Sequence, residues 1–119
     1  MDREELKRRT KQFALRVIRL TESLPKEQTA AVIGRQLLRS ATSVGANYRA
    51  ARRAKSTADF ISKMGTAEEE ADESLYWMEL LVEADIMMEE RMSSLMKEAD
   101  ELVAITVASI NTAKRRRSK

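Results

Sequence analysis

Arg35-Gln-Leu-Leu-Arg-Ser-Ala-Thr-Ser-Val-Gly-Ala-Asn-Tyr-Arg-Ala-Ala-Arg-Arg-Ala-Lys55 carries six cations and no acid in 21 residues. Wound as a helix of about 3.6 residues per turn, it puts Leu37, Ala41, Val44, Tyr48 and Ala51, with the preceding Ile33, on one face. Arg35, Arg39, Arg49 and Arg53 fall nearly opposite, and Gln36, Ser40, Ser43 and Asn47 run between the two faces. Such a helix has one face for a core. Its other face suits a polyanion, an acidic partner or water.

Working outward, this helix is expected from about Lys26 to Ala54, with Pro25 in its first turn, where a missing N–H costs nothing, and Ser23 as its cap. Gly34, Ser40, Ala41, Ser43, Gly45, Ala46 and Ala50 give it a small-residue surface. That surface serves either tight packing inside one bundle or a contact between subunits. Upstream, Leu6, Thr10, Phe13, Val17, Leu20 and Leu24 alternate steps of four and three, a heptad stripe on a helix from about Asp2 to Ser23. Downstream, Ser56 followed by Asp59 resembles a capping box and opens a third helix to about Asp85. Its stripe is Phe60, Met64, Ala67, Ala71, Leu75, Met78 and Val82. Trp77, Leu80 and Ala84 form a second apolar face on it. This is either an oligomer interface or the flank of a wide helix held between two neighbours. The fourth helix, from about Met88 to Ala113, repeats the rhythm through Met88, Met92, Leu95, Ala99, Leu102, Thr106, Ile110 and Ala113.

The predicted fold is therefore all-α: an antiparallel up-down-up-down four-helix bundle over residues 1–113, followed by a basic C-terminal tail over 114–119. Composition agrees. One proline, three glycines and 4% aromatics disfavour sheet, and 119 residues with 43% hydrophobic side chains form one soluble domain with a real core. The chain has no cysteine and no histidine. Disulfides, thiolate metal sites, cysteine nucleophiles and the commonest general base are thereby excluded, and a cytoplasmic setting is expected. No apolar run nears the ~18 residues of a membrane span.

Net charge is only +3, but antiparallel order sorts it along the bundle. The start of helix one, the turn between helices two and three, and the end of helix four meet at one end. Residues 1–11 hold five cations against three acids, residues 46–63 five against one, and residues 108–119 five against none. That end thus carries +11 and the remainder −8. From Glu68 to Glu90 there are ten acids and no base. A field so polarised steers polyanions to one end. Purely structural causes compete with that role. Cations near helix C-termini are favoured by the dipole itself, the terminal basic run could be a solvated tail, and Arg35 and Arg39 should lie level with Glu73 to Glu79 and pair there. Arg49, Arg52, Arg53, Lys55 and Lys63, with Lys114, Arg115, Arg116 and Arg117, remain the candidate nucleic-acid-binding residues.

Catalytic and metal chemistry is not expected. Di-metal bundles use Glu-x-x-His pairs; helix three offers Glu68, Asp72, Glu79 and Glu83 without histidine, which read better as a solvated acidic face. No glycine loop for phosphate is present. Ser43 and Asn47 have no base near them in sequence and read as interhelical hydrogen-bonding groups. The seven methionines read as core gap-fillers. No enzyme activity, cofactor or metal is expected.

Leu37-Leu-Arg-Ser-Ala-Thr-Ser-Val-Gly-Ala-Asn-Tyr-Arg-Ala50, Ser56-Thr-Ala-Asp-Phe-Ile-Ser-Lys63 and Glu68-Glu-Glu-Ala-Asp-Glu-Ser-Leu-Tyr-Trp-Met-Glu-Leu-Leu81 resemble a bacterial family. These are the four-helix bundle proteins of intervening sequences in large-subunit ribosomal RNA genes. The accessory variability determinant of diversity-generating retroelements belongs to the same group. Ser43-Val-Gly-Ala-Asn47 is the most specific part of the match. Many members continue with Ile-Ala-Glu-Gly; here Tyr48-Arg-Ala-Ala-Arg52 stands instead, which suggests a different branch. The resemblance implies an up-down bundle assembled as a ring, typically a homo-pentamer, with a positively charged surface. For the retroelement member it implies binding to nucleic acid and to a reverse transcriptase.

Two functions follow as expectations. The first is a non-enzymatic oligomer that binds RNA or DNA through phosphates at its cationic end. Little sequence specificity is expected, and no base stacking, because Tyr48, the one aromatic among the cations, points to the core. The second is a protein–protein adaptor built on Trp77, Leu80 and Ala84 or on the acidic end.

Overall fold

Asp2 opens the first helix: its carboxylate accepts the Glu5 backbone N–H at 2.8 Å, and α1 runs Arg3–Glu22. The computed structural model describes residues 1–118, so Lys119, the last residue of the expected tail, lies outside the described residues. Three further helices follow: α2, Gln28–Arg52; α3, Thr57–Glu83; and α4, Glu89–Arg117. Each packs antiparallel on the next, and α1 closes the square more loosely against α4. The result is an up-down-up-down bundle about 52 Å long and 21 Å across. Among the described residues no helix is long and apolar enough to cross a membrane.

The expected stripes of the first two helices supply core, with Ile33 half-buried, whereas on α3 the buried face turns toward Ser74 and Leu81 and leaves the expected Phe60, Leu75 and Val82 half-buried. Leu6, Thr10, Phe13, Val17 and Leu20 are buried on α1, and Leu37, Ala41, Val44, Tyr48 and Ala51 on α2. At Gly45 the small-residue surface of α2 packs inside the bundle: a Cβ there would lie 3.3 Å from Thr10 Oγ1, so glycine is what lets α1 come close.

The helix ends depart from expectation. Pro25 lies in the connection, not in the first turn of α2. Position 27 precedes the helix without a side-chain cap, and Ser23 closes α1 instead. Half of the expected box at Ser56 forms: its hydroxyl accepts the Asp59 N–H at 3.0 Å, but the Asp59 carboxylate takes the Lys55 N–H at 3.1 Å, one residue earlier than the motif prescribes. α3 ends at Glu83 because Asp85 adopts φ 58°. The Ile86 N–H then bonds Leu81 O at 2.9 Å and the Asp85 N–H bonds Val82 O at 3.0 Å, a Schellman closure. That turn buries Met87 and leaves Met88, expected in the core, 67% exposed ahead of α4. At its far end α4 does not stop at Ala113. Lys114–Arg117 form its last turn.

Candidate nucleic-acid interface

α1 has 20 residues and α4 has 29, a difference of about 13 Å at about 1.5 Å per residue. The shortfall falls at the cationic end. The Tyr48 hydroxyl donates to the Arg3 carbonyl at 3.1 Å, so α1 begins level with Tyr48 while α2 continues for another turn. The corner of the bundle beyond Arg3 is therefore open.

Two adjoining depressions occupy this end. One, of about 400 Å³, has Arg3, Arg52, Lys55 and Arg116 around it and no acid in its lining. The other, of about 550 Å³ between α1 and α2, has Lys7, Arg49, Arg52 and Arg53, with Glu4 as its one acid. Tyr48 and Arg52 border both. Seven cations thus face one carboxylate, and the nearest Arg52–Glu4 approach is 3.8 Å, too long for a hydrogen bond. α2 and α4 also point their C-termini here. Part of the cation excess balances those dipole ends.

The structure sorts the expected site residues. Arg49, Arg52, Arg53 and Lys55 come together as read from the sequence. Arg116 joins them, whereas Lys114, Arg115 and Arg117 stand exposed on the last turn of α4 outside both depressions. Lys63 does not belong to the free set. Its ammonium lies 2.7 Å from both oxygens of Asp59, one turn back on the same helix, and with the Lys55 N–H it holds the Asp59 carboxyl below the usual carboxylate range. Arg3 and Lys7 are members that the sequence reading counted only as charge. Their signal was α1's antiparallel register, which sets its N-terminus beside the end of α2.

Two cations elsewhere are held by acids across helices. Arg9 binds Glu98 at 2.9 Å through Nε and Glu101 at 3.2 Å through Nη2, bridging α1 to α4. Arg39 spans Glu70 and Glu73, as expected for a structural pair but one turn nearer the basic end. Arg35, read as its companion, makes no ion pair among the described residues. Ser43 and Asn47 are not interhelical groups: they bond backward to the Arg39 and Ser43 carbonyls, each at 2.8 Å. The second apolar face is mixed. Trp77 and Leu80 are half-buried and Ala84 is exposed. Tyr76, 52% exposed, meets the Trp77 ring edge-on at 5.1 Å. Among the described residues no three histidine, cysteine, aspartate or glutamate side chains are grouped to hold a metal.

A family model described as 23S rRNA-intervening sequence protein matches residues 4–108. Among solved structures, a protein of unknown function from the S23 ribosomal protein family of Bacteroides thetaiotaomicron superposes with a TM-score of 0.86 at 37% identity, over 93% of this chain and 99% of its own. No curated protein matches the chain significantly.

Proposed function

The chain belongs to the 23S rRNA-intervening sequence protein family, and from that premise we propose that it is a non-enzymatic bundle that holds RNA or DNA by phosphates at its cationic end. The observation that carries this reading is the convergence of seven cations on two adjoining depressions against one carboxylate. Phosphate contacts position a nucleic acid without reading its sequence, so binding is weakly specific. The working form is a homo-oligomer, a pentameric ring by the family resemblance, which sets several cationic ends side by side and gains affinity by multivalency. Any role as accessory to a nucleic-acid enzyme such as a reverse transcriptase uses the same end.

Multi-angle light scattering with short RNA or duplex DNA, at low and then physiological salt, tests this. The expected result is an oligomer that co-elutes with nucleic acid and releases it as salt rises, with a log–log slope of roughly −0.9 per duplex phosphate neutralised. Arg52→Glu with Arg53→Glu should abolish co-elution. A second reading draws on the exposed Tyr76 beside Trp77 and Leu80: an adaptor that uses this patch for assembly. An oligomer without nucleic acid at either salt, dispersed by Trp77→Ala, would favour it.

A further inference from the structure

We propose that the depression bounded by Arg3, Arg52, Lys55 and Arg116 takes one unpaired nucleotide, its phosphate among the cations and its base against Phe60. The inference rests on the nucleic-acid reading above and deepens it. A surface built for duplex backbone needs only charge, yet this depression has an apolar wall as well. Phe60, from the first turn of α3, is half-buried and lines it together with Ala51, Ala54 and Ala113. Alanines at three of these four positions keep the space beside the ring open. The late start of α1 leaves the same corner uncovered. The volume, about 400 Å³, falls at the lower end of the roughly 300–1,000 Å³ of small-molecule pockets, which suits one nucleotide and not a paired helix. No acid lines it, so a phosphate there meets only the partial negative charge of the α2 and α4 C-termini, which the four cations outweigh. Stacking against an aromatic is tolerant of base identity, consistent with weak sequence specificity. Two aromatics border the depression: Tyr48 is buried in the core, as expected, with its hydroxyl tied to Arg3, and Phe60, half-buried eight residues beyond the basic helix's last turn, is the one left to meet a base.

The test compares a fluorescent ten-nucleotide oligoadenylate with the same backbone made abasic, by anisotropy at fixed salt. About tenfold tighter binding of the oligoadenylate is expected, shrinking below threefold in Phe60→Leu. Equal affinity of the two oligonucleotides would overturn the nucleotide pocket and leave backbone binding standing. Binding of neither would overturn both readings. Displacement of oligoadenylate by polyglutamate at equal charge, as effectively as by unlabelled oligoadenylate, would mean that the depression reads charge alone and would also overturn the pocket.

Discussion

The Ser40 and Ser74 hydroxyls meet at 2.9 Å in the interior, where α2 crosses α3, and both side chains are fully buried. Each also reaches a carbonyl on its own helix, Leu37 O at 3.2 Å and Glu70 O at 2.8 Å. One proton per hydroxyl must be shared along this chain. Removing one partner leaves the other its carbonyl, so Ser40→Ala or Ser74→Ala should each cost about 1 kcal/mol. The double variant should cost no more than the larger single, because replacing both partners leaves no orphaned group. Urea unfolding of the four proteins measures this coupling; strict additivity would mean that the contact contributes nothing.

Gly65 lies inside α3 with nothing within 4 Å of where a Cβ would sit. Gly65→Ala should therefore recover the helix propensity that glycine forfeits, about 1 kcal/mol, and raise Tm by about 4 °C. Gly45→Ala should gain less or lose, since its Cβ would crowd Thr10 Oγ1 at 3.3 Å. A larger gain at position 45 than at 65 would contradict the packing account.

These positions also show what the sequence could tell. Steps of four and three named all five buried residues of α1 and overran only at Leu24, half-buried past the helix end, because a long amphipathic helix has only one way to hide its apolar stripe. Which hydroxyls meet across helices was not legible. Ser43 and Asn47 looked more suited to it than Ser40, but a hydroxyl or amide on a helix can bond its own carbonyl one turn back, and periodicity does not say which does. The helix end was not legible for a different reason: Met87 displaced Met88 from the core because a single left-handed residue sets the turn. At the site, antiparallel order predicted where charge collects. It did not distinguish Lys63, held by Asp59, from the free Lys55, because that depends on one rotamer pair.

That left-handed residue is Asp85, at φ 58°. Non-glycine residues are strained in this conformation, and a carboxylate at a helix C-terminus also opposes the dipole. Asp85→Gly should stabilise the bundle by about 0.5–1 kcal/mol, seen as a higher urea midpoint at unchanged slope. Asp85→Ala keeps the left-handed backbone and should not stabilise. If both variants stabilised equally, the carboxylate and not the backbone would be the cause.

The Trp77 indole N–H donates to Glu73 at 3.1 Å, and Arg39 reaches the same carboxylate from α2. Burial alone would raise the Glu73 pKa, but the indole and the guanidinium outweigh it and hold the carboxyl below its usual range. A folded pKa below the unfolded value adds stability at neutral pH, which is lost as pH falls below about 4.3, the ordinary glutamate value. Trp77 is the only tryptophan, so its fluorescence reports this proton directly. A transition with a midpoint below that of a free glutamate is expected. It should vanish in Glu73→Gln and move upward in Arg39→Gln. A midpoint at or above the ordinary value would show that burial dominates. Because Tyr76, the exposed part of the apolar patch, packs on the same indole, a patch used for assembly would shield Glu73 further, and its transition would then shift with protein concentration.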